Sequence, residues 1–297
     1  MRLYLLMICV ALLSACGSQE ESELVRLERE VEAQPTNANV SELLTWYGNW
    51  LSEHREVNPE RKEILLKTLA LSDRHIRLNT KLNALQALVL DYPADPETSG
   101  RLLEMGEIFE MMQKDQAAMI LRQAVLQRWP NVPAADSIRM QIPPDALPVD
   151  SAIAKLGRDM FDDSQFRLNE RIARQYVDAC ETYALVHHDD PQSAEYLHKA
   201  AETARTLRTI PKALAIYDWI LQRYPDHPRA SQALFLKAFT YDNNLQDTAN
   251  AARYYREFLA AYPGDDFAES AQFLLDNLGK DDDELLQVLQ QKAQEGQ

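Results

Sequence analysis

Glycine is scarce in this chain, with eight residues in 297, and no Asn-Gly pair of the kind that closes a β-hairpin is present. Alanine, leucine, glutamate, glutamine and arginine dominate instead, and these are the strong helix formers. Apolar residues recur at spacings of three and four, as they do along one face of a helix. The sequence therefore predicts an all-α fold.

Motifs that carry chemistry are also missing. The chain has no Gly-x-Ser-x-Gly, no Gly-Lys-Ser/Thr, no His-Glu-x-x-His and no Cys-x-x-Cys. His187 and His188 precede two aspartates, but adjacent helical residues point about 100° apart, unlike the i, i+4 pair of a helical zinc site. The acidic run 281–284 lacks the spacing and central glycine of a calcium loop and fits a helix N-terminus. We therefore expect no enzyme, no metal and no cofactor.

The N-terminus has the features of an export signal. Arg2 precedes an apolar run from Leu3 to Leu13, which is shorter than the roughly 20 residues that a bilayer span needs. The sequence Leu13-Ser14-Ala15-Cys16 then resembles a bacterial lipoprotein signal, and this resemblance implies cleavage of residues 1–15 and lipidation of Cys16. Gly17 and Ser18 follow without an aspartate, which by the same resemblance favours the outer membrane, with the protein facing the periplasm.

Charge and cysteine content limit the partners. Residues 1–15 contain one arginine and no acid, so their removal takes the formal net charge from -15 to -16. Such a charge disfavours nucleic acid and anionic lipid surfaces. Of the three cysteines, Cys180 alone remains after Cys9 is removed and Cys16 is lipidated. No intrachain disulfide can then form, and Cys180, in a helical pattern, is predicted to be a buried small hydrophobe.

An internal repeat organises the second half of the chain. The segment from Ala213 to Pro225 recurs 38 residues later, from Ala251 to Pro263, with an Ala-x3-Tyr core and a closing Tyr-Pro in both copies. The segment from Leu102 to Pro130 is the best single match to the repeat consensus, with conservative replacements. Such a period indicates helix-turn-helix units of tetratricopeptide type, which bury their apolar faces only by stacking. The predicted fold is therefore an all-α, tetratricopeptide-like helical-hairpin solenoid.

The repeat phase also suggests a domain organisation. Pro133, Pro143, Pro144 and Pro148 interrupt it, and the phase returns near Pro191. The predicted segments are a lipoprotein signal peptide (1–15), a lipidated cysteine with tether and lead-in helix (16–36), N-terminal helical repeats (37–133), a Pro-rich linker (134–150) and C-terminal helical repeats with a capping helix (151–297).

Residues 194–278 resemble the repeats of two envelope protein families with Tyr-Pro closures. One is BamD, the lipidated subunit of the outer-membrane barrel-assembly machinery, and the other is the periplasmic YbgF/CpoB type of the Tol-Pal system. The lipid signal favours the first, although the Pro-rich break departs from its run of five repeats. The resemblance implies a scaffold anchored to a membrane by lipid, which binds envelope proteins or peptides in outer-membrane protein assembly or envelope organisation.

By resemblance to the fold, residues beside the packing positions of the first helix of each unit line a concave binding face. Because Glu104, Glu107 and Glu110 have helical spacing and the chain is acidic, a basic or amphipathic peptide partner is expected. Phe235 and Phe239 are i, i+4 and either grip an apolar peptide side chain or pack against the following helix. The nominated protein-binding residues are Glu107, Glu110, His198, Glu202, Arg205, Phe235, Phe239 and Asn243.

A second function class remains open. A helical-repeat lipoprotein can bind a small molecule or glycan, or be an enzyme without a sequence motif. Carbohydrate binding would favour clustered exposed tryptophans, and Trp46 and Trp50 form the i, i+4 tryptophan pair of this chain. Core packing of the first helix pair is the preferred interpretation of that pair.

Overall fold

The chain was analysed as a computed structural model, which describes residues 23–162, 167–280 and 284. Most of these residues are helical, as predicted. The helices are α1 (23–33), α2 (Asn37–Glu53), α3 (Pro59–Arg74), α4 (Leu78–Asp91), α5 (Thr98–Met111), α6 (Asp115–Arg128), α7 (Ala135–Gln141), α8 (Val149–Asp159), α9 (Glu170–Val186), α10 (Gln192–Thr206), α11 (Ile210–Arg223), α12 (Pro228–Phe239), α13 (Thr248–Ala261) and α14 (Ala268–Asp276). A π-helical turn, Thr240–Asn244, follows α12, and strands β1 (Phe161–Asp162) and β2 (Arg167–Leu168) form a short ribbon.

The aromatic-proline pairs end helices. Tyr92, Trp129, Tyr224 and Tyr262 each occupy the C-cap position, and each donates its backbone N–H to the carbonyl four residues earlier. The next residue is proline in all four cases. Because proline disfavours helical backbone in the residue before it, the helix cannot continue past these positions. The repeat period in the sequence is therefore the spacing between the C-terminal ends of successive second helices.

The chain divides into two compact units, Met1–Ile108 and Phe109–Gln297, with the division inside α5. In the described part of the first unit, α1, α2 and α3 share an apolar core. Trp50 is buried in this core, and the partly buried Trp46 packs against the core. The tryptophan pair therefore belongs to the core, as preferred above. The core residues are Leu27, Val31, Val40, Leu43, Tyr47, Trp50, Ile64 and Leu71.

In the second unit, consecutive helices from α9 to α14 pack against one another in chain order. Short connections between packed neighbours make them antiparallel hairpins. The repeat residues lie at the centres of these contacts: Ala213 and Ala251 are fully buried, and so are Tyr217 and Tyr255 four residues later. The predicted all-α fold of successive helical hairpins is confirmed.

The segment from α7 to β2 interrupts this order, because α6 packs against α9 and not only against its sequence neighbours. The expected linker 134–150 contains α7, whose Ala135 and Ile138 are buried. The surrounding prolines limit the length of this helix but do not prevent it. The interruption is thus a structured insertion, and the division between the compact units lies at Ile108, not in this segment.

Two predicted features fall outside the described residues. These are the N-terminal signal with Cys16 and the capping helix over 281–294, of which Glu284 alone is described. Within residues 23–162 and 167–280, no helix combines the length and apolar character needed to cross a bilayer.

We predict that Ala213→Arg and Ala251→Arg each lower the free energy of unfolding by about 1–3 kcal/mol or more, because a long charged side chain must enter a fully packed contact. Ala215→Arg and Ala260→Arg, at exposed positions of the same two helices, are matched controls that should shift it by less than about 0.5 kcal/mol. Urea unfolding followed by circular dichroism measures the difference. Equal stability of the core and control variants would contradict the repeat register.

Candidate functional site: a groove between helix α10 and the β1–β2 ribbon

The acidic run on α5 is largely neutralised by neighbours. Glu104 lies 2.5 Å from the ammonium of Lys81, and a carboxylate oxygen of Glu110 lies 2.6 Å from the guanidinium of Arg122. The hydrogen bond from Arg122 lowers the pKa of Glu110. Glu107 is exposed and has no ion pair within the described residues. The run therefore gives weaker support to a basic partner than its charge count suggested.

A groove of about 310 Å³ runs along α10 and contains two of the nominated residues, Glu202 and Arg205. Lys199, Thr203 and Thr206 complete the α10 wall. Positions 199, 202, 203 and 206 are three or four residues apart, so the helix presents them on one side. The groove thus has one polar, charged wall built on a single helix of the repeat.

The opposite wall is apolar and comes from the insertion. Met160, Phe161 and Leu168 line it, and Phe161 keeps 57% of its surface exposed. The ribbon is antiparallel with Phe161 opposite Leu168, and the N–H of Asn169 donates to the carbonyl of Met160 at 2.8 Å. Sequence reasoning missed this wall, although Asp and Ser residues between the apolar Phe161 and Leu168 are a composition that favours a hairpin.

Tyr176 of α9 lines the bottom of the groove and is mostly buried. Burial raises the pKa of its hydroxyl, which therefore stays protonated. Its ring lies against α8 at Gly157, where a Cβ would come within 3.1 Å of Cε2 of Tyr176. The absence of a side chain at Gly157 is what lets the ring take this position.

His198 does not present a free imidazole at the surface, which corrects its nomination as a surface contact. It is 6% exposed, its Nε2 lies 3.4 Å from a carboxylate oxygen of Glu202, and its Nδ1 has no hydrogen-bond partner among the described residues. Burial lowers the pKa of His198, the negative charge of Glu202 raises it, and Arg229 lowers it again. Burial dominates, so His198 is a neutral group behind the charged wall.

The two nominated phenylalanines have different environments. Phe235 is 8% exposed, stacks on Phe267 at 4.8 Å between ring centroids, and meets the ring of Phe258 at 5.7 Å. It is a core residue, because these rings remove its apolar surface from water, and it cannot grip a peptide as packed here. Phe239 is half-buried, with the guanidinium of Arg205 5.7 Å from its ring centre. Asn243 is exposed in the π-helical turn.

The cluster His187 to Asp190 is held by structural contacts. Arg128 donates two hydrogen bonds to Asp189, at 2.5 and 3.1 Å, and Asp190 accepts one from the hydroxyl of Tyr183 at 2.6 Å. Burial, with the positive charge of Arg128, lowers the pKa of both histidines. The two carboxylates are thus committed to anchoring the turn after α9.

Comparison with known proteins identifies the repeat. The family described as tetratricopeptide repeat matches residues 232–265, which span most of α12, the π-helical turn and α13. The chain contains a tetratricopeptide repeat. The matched residues include Phe235, Phe239 and Asn243, and the α10 groove lies before them in the chain.

Solved structures also match the chain. One is described as the TPR2AB-domain:pHSP90-complex of yeast Sti1, with 14% sequence identity, coverage of 87% of this chain and 98% of that chain, and a TM-score of 0.29. No curated protein matches.

We predict that the pKa of His198, measured by NMR titration, lies below its ordinary value of 6.5. Since the unfolded chain then binds the proton more tightly, the free energy of unfolding should fall as the pH drops through about 6.5. Glu202→Gln removes a charge that favours the imidazolium and should lower the pKa of His198 further. His198→Gln should abolish this part of the pH dependence. A pKa of His198 at or above 6.5 in the unmodified protein would refute the assignment.

Proposed function

We propose that this protein is a scaffold, anchored by lipid to the outer membrane and facing the periplasm, which binds a segment of an envelope protein in the α10 groove. The observation that carries the binding part is the groove itself, a charged repeat helix facing an exposed apolar ribbon. Stacked helical repeats function through such surfaces. The scaffold would serve outer-membrane protein assembly or envelope organisation.

The anchor rests on the sequence Leu13-Ser14-Ala15-Cys16 and on the short apolar run before it. Two acyl chains on a cysteine hold a protein on a membrane without a spanning helix, because each buried methylene adds to the binding free energy. An anchored scaffold of this kind would meet its partners within the reach of its tether.

The groove suits a polypeptide segment better than a small ligand. Its two walls differ in character, with carboxylate, ammonium and guanidinium groups on one side and Phe161 and Leu168 on the other. Small-molecule sites are usually deeper and enclose most of the ligand. Successive side chains of an extended segment point to opposite sides, so a segment in which polar and apolar residues alternate can contact both walls at once.

Cys16→Ser is expected to leave an unprocessed precursor that no longer incorporates labelled palmitate, because the thiol is the acylated group. Gel mobility and radiolabel incorporation in the producing cells measure both effects. Ser18→Ala is a nearby control that leaves the thiol in place. Normal cleavage and labelling of the Cys16→Ser protein would rule out the lipid anchor.

A photo-reactive amino acid at Thr206, exposed on the groove wall, is expected to yield covalent adducts with protein partners in intact envelopes. The same amino acid at Arg256, exposed on α13 and outside the groove, is the matched control. Mass spectrometry identifies the adducts. Adducts of equal yield at both positions, or none at Thr206, would refute the groove as the protein-binding surface.

A further inference from the structure

Two cations on the groove wall lack acidic partners. Within the part of the chain that the structure describes, neither Lys199 nor Arg205 has a carboxylate within ion-pair distance, and Lys199 is exposed. Other cations of the second unit have acidic partners, such as Lys212 with Glu181, Arg229 with Glu195, and Lys237 with Asp218. Among the described residues, Lys199 and Arg205 therefore give the groove positive charge that no carboxylate pairs.

The guanidinium of Arg205 is held in place but not satisfied. It lies over the ring of Phe239, and its Nε atom is buried without a hydrogen-bond partner in the described residues. The hydroxyl of Tyr217 lies beside Arg205; burial raises the pKa of Tyr217, and the neighbouring guanidinium lowers it. A planar guanidinium matches a carboxylate with two parallel hydrogen bonds.

The existing carboxylate in the groove does not meet this need. Glu202 lies between the two cations in sequence, yet its carboxylate is the one that approaches His198 at 3.4 Å. Among the described residues that line the groove, two cations stand against one carboxylate. A carboxylate supplied by a bound ligand would neutralise the second positive charge.

The apolar wall specifies the rest of the ligand. Phe161 is an exposed aromatic residue of strand β1, and Leu168 stands opposite it in the register. An apolar side chain placed here would remove part of this surface from water, whereas a charged one would lose hydration without a partner.

We infer that the groove binds an extended peptide segment in which an aspartate or glutamate side chain lies next to a large apolar residue. The carboxylate pairs with Arg205 and Lys199, and the apolar residue packs on Phe161 and Leu168. This inference rests on the proposed scaffold function and gives the partner segment a charge opposite to the one expected from net charge. Charges of the whole chain act through screened solvent with a Debye length of about 8 Å, whereas groove contacts act at hydrogen-bond distance.

Selection from random peptides displayed on phage tests this chemistry, since the displayed segments are fused at their C-terminal ends and offer carboxylates mainly from side chains. The full chain, immobilised, should enrich sequences with Asp or Glu beside Phe, Leu or Trp. The best peptide is then synthesised with an amidated C-terminus, and its binding is measured by fluorescence anisotropy. Replacing its acidic residue by the corresponding amide should weaken binding about tenfold, the loss of one charge-assisted hydrogen bond.

Charge reversal in the protein gives the reciprocal test. Lys199→Glu, at an exposed position, and Arg205→Glu should each weaken binding of the acidic peptide by about tenfold or more, but not that of its amide analogue. Arg256→Glu makes the same change in net charge outside the groove and should have little effect. Circular dichroism checks folding, and Lys199→Glu decides the matter if Arg205→Glu does not fold.

Selection without enrichment of acidic residues would overturn the inference, and so would acidic-peptide binding that withstands Lys199→Glu. Such a result leaves the scaffold function standing if the reactive group at Thr206 still captures envelope proteins. Absence of those adducts, by contrast, would refute the groove as the protein-binding surface of the proposed scaffold, so the two failures are distinguishable.

Discussion

The second unit depends on close contact between helices at alanine. Ala213 and Ala251 have no surface left, and the tyrosines four residues later, Tyr217 and Tyr255, are just as completely enclosed. A methyl group lets two helix backbones approach, and the large ring one turn later fills the space that opens beside it. In these two copies the small and the large residue act together, because a small residue alone would leave a void and a large one alone would separate the helices.

The insertion between α6 and α9 changes what this framework offers. Repeated hairpins supply a polar helix face at α10, but the ribbon with Phe161 and Leu168 adds an apolar wall that the repeat itself does not contain. Because α9 still packs against α6, the insertion leaves the stacking of the helices intact. The framework and the recognition element thus belong to different segments of the chain.

Residue patterns predicted the framework well and the site poorly. The Ala-x3-Tyr and Tyr-Pro patterns depend on contacts and backbone restrictions within one helical turn. The sequence alone was therefore enough to predict the helical repeat from them. The pair Phe235 and Phe239 shows the limit of this reasoning. Helical spacing places both on one side of α12, yet Phe267, at the N-cap of α14, covers the first and Arg205 covers the second. Which neighbour covers a face is a tertiary fact that spacing does not contain. Glu202 and Arg205 were nominated from their positions on a repeat helix. Lys199 and the ribbon were missed, because the contact between α10 and the ribbon is tertiary.

Gly157 gives the groove a property that its lining residues do not reveal. The ring of Tyr176 can take its position because Gly157 of α8 has no Cβ atom, whereas the positive charge of the groove depends on side chains of α10. The position of the ring and the charge of the groove are therefore determined by residues on separate helices. In a lineage of related proteins, one could change while the other stays constant, so the same stack of helices could come to accept segments of different bulk without altering its preference for their charge.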